Sequence, residues 1–413
     1  MNRSITRTAA WGIWIIASLF YAYQYILRVM PNIMLDNFIQ QFHIDTVVFG
    51  QFSGIYYLGY SLMHLPIGIM LDRFGPRKVM TFCIFLTVAG LLPIIFAERW
   101  TYPLIGRALI GMGSSAAILG TFKIIRMAFK EQHFTRMLSF SVTIGLIGAI
   151  YGGGPVSYLC GTLGYKVVVE IFAFFGLLLA ALTYLIVPEL EKSARSASIR
   201  ADIKLVVTNR SIIILCLMAG LMVGPLEGFA DVWGSAFIKR VYGFDATLAS
   251  YLPSMIFIGM CFGAPVLSFI AEKTANYLAV IIGSGIVMML VFLALITQQL
   301  TTNTMALGFI LVGVCSAYQI LAIYKASTYV SEQVAGITTA IANMIIMSFG
   351  YAFHTTIGIL VNVFGGRGVS SAFIFGLSVI PISLAFAVLG FSLLYYKERG
   401  KDVFVPDNAA QAS

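Results

Sequence analysis

Twelve long apolar stretches divide the chain, at about 9–30, 48–70, 78–97, 102–125, 137–160, 166–188, 211–234, 248–270, 276–297, 304–327, 335–361 and 369–396. A helix that crosses the hydrocarbon core of a bilayer needs roughly 20 consecutive apolar residues, and each stretch is long enough. Lipid offers no hydrogen bonds to an exposed backbone, so such segments cross as helices, their N–H and C=O groups paired within the segment. Only 10% of the 413 residues are charged and 59% are hydrophobic, whereas a soluble domain carries about 25% charged residues. That balance excludes a soluble enzyme, a nucleic-acid-binding protein and a disordered chain. The expected fold is all-α and integral to the membrane, with 12 transmembrane helices.

The connections are short and polar except for 189–210, ELEKSARSASIRADIKLVVTNR, which is charged and sits midway. It reads as a linker between two six-helix bundles, 1–188 and 211–396, followed by a tail at 397–413. The first stretch lies behind Arg3 and Arg7 but exceeds a signal-peptide core and lacks an A-x-A cleavage site, so it is taken as the first span. With the N-terminus inside, eighteen of the 26 basic residues fall on the cytoplasmic side, five on the other and three within spans. Cytoplasmic loops concentrate Lys and Arg, so the net charge of +9 reports topology and lipid headgroups rather than nucleic acid. Both termini are therefore expected in the cytoplasm, with the protein in a bacterial inner membrane. Cys83, Cys160, Cys216, Cys261 and Cys315 lie in or at the ends of apolar spans, are odd in number and lack C-x-x-C spacing, so they read as packing residues.

Sliding the sequence along itself by 200 residues superposes Ile44-Asp45 on Phe244-Asp245, Gly59 on Gly259, Asp72-Arg73 on Glu272-Lys273 and Gly113 on Gly313. Lys123 falls close to the partner of Lys325. Several matches at one offset indicate duplication. Parallel repeats in a membrane place a substrate site between the halves near the midplane, reached by rocking one half against the other.

Between spans two and three lies Gly68-Ile-Met-Leu-Asp72-Arg73-Phe-Gly75-Pro-Arg77-Lys78. This resembles the G-x-x-x-D-R-x-G-R-[KR] loop signature of the major facilitator superfamily, with Pro76 in place of the usual first Arg. Gly106-Arg107-Ala-Leu-Ile-Gly111-Met-Gly113 in span four is similar to that family's R-x-x-x-G-x-G motif. Physically, Gly68 and Gly75 permit close helix approach and a tight turn. Asp72 is placed to pair with loop cations and cap a neighbouring helix. The resemblance implies that Gly68, Asp72, Arg73, Gly75, Arg77 and Lys78 form a conformational latch; the alternative is charge that only sets topology. Span five carries Gly145, Gly148, Gly152, Gly153, Gly154 and Pro155, read as a close-packing, bendable helix. The run Tyr21-Ala-Tyr23-Gln24-Tyr25-Ile-Leu-Arg28-Val-Met-Pro31 is similar to prokaryotic organic-anion and sugar-acid permeases, and to a branch whose eukaryotic relatives move dipeptides out of lysosomes.

A charge at the bilayer centre costs at least about 2.5–3.5 kcal/mol, so each one calls for a function. Arg28 comes about 28 Å along span one. Tyr21, Gln24 and Arg28 recur at i, i+3, i+7 and share a face, which points to an aqueous cavity or gate; the alternative is an Arg snorkelling to the outer interface. Glu227 and Asp231, four apart in span seven, face one way and lie close to the pseudo-symmetric position of Arg28. They either form an outer gate with it or bind the cationic end of a substrate and carry a coupling proton, since a carboxyl taken out of water titrates nearer neutrality. Asp231 beside Trp233 also reads as an interfacial acid.

Arg107 relays protonation or braces the substrate half. Lys123 and Lys325, at matching ends of spans four and ten, are gate or snorkelling lysines. His64 and His354 either titrate near neutral pH or are hydrogen-bonded across helices, and Asn343 either lines the cavity or joins helices. No metal or nucleophile constellation is present, and no GxxxxGK[ST] loop for ATP, so transport would be gradient-driven.

The expectation is a symporter working by alternating access, most simply as a monomer. Its partners are a small-molecule solute, a proton or another coupling ion and membrane lipid, with no cofactor. A cationic half facing an acidic half favours an amino acid or short peptide. An organic anion or sugar acid is the second choice, and a transport-dead sensor on the same fold is the alternative of another class.

Overall fold

Apolar segments in lipid keep every backbone bond internal, and the chain is helical almost throughout. The computed structural model describes residues 7–130, 133–189, 199–274 and 276–402, with no strand among them. Among the described residues, eleven helices are long and apolar enough to cross a membrane. One of them, Thr46–Phe96, has 51 residues, roughly 77 Å of helix and more than twice a ~30 Å hydrocarbon core. It breaks at Gly75, whose φ of 77° and ψ of 163° no helix contains. The chain doubles back there. Tyr56 and Gly59 of the first arm and Cys83 and Thr87 of the second lie against the same stretch of the next span, Ala108 to Gly113. Counted as two arms, the helix brings the candidate spans among the described residues to twelve, and an even number of crossings returns both ends to one face.

Three boundaries differ from the sequence reading. A helix over Pro31–Phe42 fills what reads as a loop after span one; Pro31 has φ preset for a helix start, and left-handed His43 (φ 50°) ends it. The central linker contains a helix, Ile199–Thr208, while its part 190–198 lies outside the described residues. The last span runs on to Asp402 rather than ending at 396, the described part of the expected tail simply continuing the helix. Arg3 and the tail beyond 402 also lie outside the described residues.

Small residues let these helices pack backbone to backbone. A Cβ added at Gly111 would lie 2.9 Å from Tyr56 Cα, and one at Gly313 would lie 2.8 Å from Ile256 C. Tyr56 and Ile256 are 200 residues apart, but Gly111 and Gly313 are 202 apart. Gly113, matched to Gly313 by the simple offset, instead faces Cys83 and Thr87. The fourth spans thus align with a two-residue shift, which also places Lys123 on Lys325 and the helix end at Ser114 on that at Ser316. In span five, Gly148 and Gly152 meet Ala22 and Ile26 of span one, while Gly153 and Gly154 meet Ser254 and Tyr251 of span eight across the halves.

The second seam between the halves is antiparallel, span two against span eleven. Thr46 donates to Gly358 O at 3.0 Å. A Cβ at Gly50 would reach 3.1 Å from His354 C, and one at Gly54 would reach 3.0 Å from Tyr351 Cα. Further along, Asn343 meets His64 at 3.3 Å.

Because the neighbour of Gly111 is backbone, Gly111→Ala should lower stability by about 1–3 kcal/mol, read as a fall in thermal midpoint in detergent. Gly161→Ala, whose Cβ would meet nothing within 4 Å, should leave the midpoint unchanged.

Candidate functional site

Span one ends just before Pro31, and that local break organises the site. Pro31 has no N–H to bond the carbonyl of Leu27 four residues back. Arg107 of span four fills the gap, donating from Nη1 to Leu27 O at 2.6 Å and from Nη2 to Arg28 O at 2.7 Å. Its guanidinium also lies 4.7 Å from the centroid of the Tyr56 ring. Arg107 therefore braces the backbone that carries Arg28.

Across the halves, Gly224–Trp233 of span seven is wound as a π-helix. Pro225 cannot continue the ordinary ladder, and Gly234 N–H reaches back five residues to Phe229 O. This widened turn sets Glu227 and Asp231 toward Arg28. Arg28 Nε donates to Asp231 Oδ2 at 2.6 Å and Nη2 donates to Glu227 Oε2. Tyr57 OH lies 2.6 Å from Glu227 Oε2 and also contacts Asp231 Oδ2. The rings of Tyr25 and Tyr57 sit 5.0 and 5.2 Å from the guanidinium. Arg28 is 7% exposed, Glu227 1% and Asp231 0%, so Arg28 does not snorkel and Asp231 is not an interfacial acid.

The remaining expected residues arrange themselves around this cluster. Gln24 accepts from Tyr56 OH at 2.7 Å. Tyr21 packs edge-on against Tyr25, 5.2 Å between centroids. The buried ring of His354 lies 5.4 Å from that of Tyr57, and neither of its nitrogens has a hydrogen-bond partner among the described residues. Asn343 is spent on His64 rather than on the cluster. Tyr56 and Tyr57 were missed by sequence reasoning, although buried tyrosines in mid-span usually signal a partner for the hydroxyl.

Arg28 and Asp231 are 203 residues apart, and so are Asn32 and Ser235 (3.3 Å) and Asp36 and Lys239 (3.2 Å). A constant separation, stepping four residues at a time, is what two segments running parallel in register produce. Asp36 also lies 3.5 Å from Arg367. These contacts join the halves on the face away from the termini.

On the terminal face the ion pairs among the described residues lie within a half or between a half and the start of the linker. Asp72 pairs with Lys123 of span four at 2.7 Å, not with loop cations, and Lys325 pairs with Glu398 at 2.9 Å. Lys78 pairs with Glu189, whose carboxyl is held below its usual range by that hydrogen bond and charge. Arg77 stacks 4.2 Å from the Tyr184 ring, and Arg73 is exposed. Gly75 supplies the expected tight turn; Gly68 supports no close approach, since a Cβ there would meet nothing within 4 Å.

Residues 13–355 match the family model described as Major Facilitator Superfamily. The chain is 21% identical over 411 residues to the nitrite extrusion protein of Bacillus subtilis (strain 168), covering 97% of this chain and 94% of that one. A bacterial homologue of the human lysosomal transporter Spinster, in an inward-facing and unoccupied conformation, superposes with a TM-score of 0.75 at 16% identity, over 95% of this chain and 98% of that one. The nucleoside transporter NupG superposes with a TM-score of 0.76 at 15% identity, over 96% and 99%.

Removing one partner of a buried ion pair costs about 3–5 kcal/mol, because the other charge is left unpaired. Arg28→Ala should therefore lower the thermal midpoint sharply. Adding Glu227→Gln and Asp231→Asn to it should recover most of the loss, measured by unfolding of the purified protein in detergent.

Proposed function

Since the chain belongs to the major facilitator superfamily, we propose that this transporter carries a small zwitterionic solute, an amino acid or short peptide, by alternating access in symport with a proton. The observation that supports this is the Arg28–Glu227–Asp231 cluster. It is the charged contact joining spans one and seven, and it must open when the halves part. Parting them bare would expose three buried charges to an environment that resolvates them poorly. A solute carrying both signs replaces each lost partner: its carboxylate takes Arg28 and its cation takes the acids.

The same cluster supports the proton. Tyr57 has one hydroxyl hydrogen, yet two carboxyl oxygens approach its oxygen. A proton on one carboxyl satisfies both contacts and neutralises the second acid beside a single arginine. Glu227 and Asp231 are the carriers, Tyr57 their bridge and Arg107 the brace. Tyr21, Gln24, Tyr25, Asn343 and His354 line the path. The paired ends Asp72–Lys123, Lys78–Glu189 and Lys325–Glu398, with Arg73, Gly75 and Arg77, belong to the latch and gate of the terminal face, free to re-pair when it closes. Positive charge on that face argues for cytoplasmic termini in a bacterial plasma membrane, and one chain carries the whole cluster, so a monomer suffices.

A second reading, an anion carrier, is favoured by the relative that extrudes nitrite. Two acids for one free arginine count against it, because Arg107 is already committed to backbone carbonyls.

Proteoliposomes with an imposed proton gradient separate the two. Gradient-driven accumulation of amino acids or dipeptides, cut at least ten-fold by Glu227→Gln while solute exchange persists, is the expected result. Accumulation of nitrite or sugar acids alone, unaffected by that substitution, would overturn it.

A further inference from the structure

Resting on that reading, we propose that the Arg28 guanidinium occupies the seat built for the cationic group of the solute, and that the preferred solute is a guanidinium-bearing amino acid or peptide. In this seat, Asp231 and Glu227 take Nε and Nη2. Tyr25 and Tyr57 stand 5.0 and 5.2 Å from the guanidinium carbon, where ring faces attract a delocalised cation. A planar guanidinium exploits both features at once; a compact ammonium gains the carboxylates but stacks poorly.

Two further observations point to an incoming ligand rather than a permanent ion pair. Asp231 Oδ1 is fully buried and has no hydrogen-bond partner among the described residues, so the seat holds more acceptor capacity than Arg28 uses. The cluster also contains two acids for one free base. Binding is then an exchange of partners: the solute guanidinium displaces Arg28, and Arg28 turns to the solute carboxylate. Arg28 is at once competitor for the seat and ligand for the other end.

That double role predicts a reversal of preference. Four probes are measured by thermal shift and calorimetry on wild type and Arg28→Ala: arginine, agmatine (arginine without its carboxylate), lysine and citrulline (its uncharged isostere). Wild type should bind arginine at least ten-fold tighter than agmatine, lysine more weakly than arginine, and citrulline not measurably. In Arg28→Ala the seat is empty, so agmatine should bind at least ten-fold tighter than it does to wild type and overtake arginine. A purely structural role for Arg28 would weaken both alike. If Arg28→Ala does not fold alone, extraction in agmatine should restore monodisperse protein. Agmatine that neither rescues the variant nor binds it more tightly than wild type overturns the seat. Citrulline matching arginine in wild type overturns the guanidinium preference. Tight agmatine binding by Arg28→Ala, alongside wild-type proteoliposomes that carry no amino acid or peptide, would instead sink the transport reading and leave the seat standing.

Discussion

Three charges buried between two helix bundles set the terms for everything around them. In a low-dielectric interior such groups are tolerated only when paired and hydrogen-bonded, and the pairing here crosses the boundary at which the molecule must open. The supporting structure follows from that demand. Arg107 holds the end of span one by the two carbonyls that Pro31 helps leave free. The π-wound turn brings Glu227 and Asp231 to the same guanidinium, and Tyr57 joins both carboxyls from a third helix.

Packing provides the complementary property, a boundary at which glycines let the helices of the two halves approach closely. Gly50 and Gly54 lie on the backbone of span eleven, and Gly153 and Gly154 lie on residues of span eight. Dispersion between close backbones stabilises these seams, and small-residue surfaces can separate and re-form without repacking a jigsaw of branched chains. The polar contacts on the same face, Asn32–Ser235 and Asp36–Lys239, share the 203-residue spacing of Arg28–Asp231 and close the halves along one line. On the terminal face Asp72–Lys123 and Lys325–Glu398 each lie inside one half.

The helical crossings, the duplication and the loop signature were legible from hydropathy, repeat spacing and motif, because each depends on local composition. Arg28, Glu227 and Asp231 stood out for the same reason: charge in an apolar run is conspicuous. Tyr57 did not, since a tyrosine belongs equally well in a core, at an interface or in a site, and only its neighbours distinguish these. The helix at Pro31–Phe42 was hidden by its mixed polarity. The two-residue shift in the fourth spans was hidden because a single offset cannot register a local insertion.

By itself, the sequence determined that the chain spans a membrane in repeated halves and that a few charges lie where lipid forbids idle ones. Those properties are sums over nearby residues. Tertiary structure decided who meets whom: that Asp72 pairs with Lys123, that Gly68 leaves room for a side chain, that Arg107 braces a backbone, and that one arginine is shared by two acids and stacked between tyrosines. Such pairings depend on distances between residues from 51 to 203 positions apart, which no local pattern encodes.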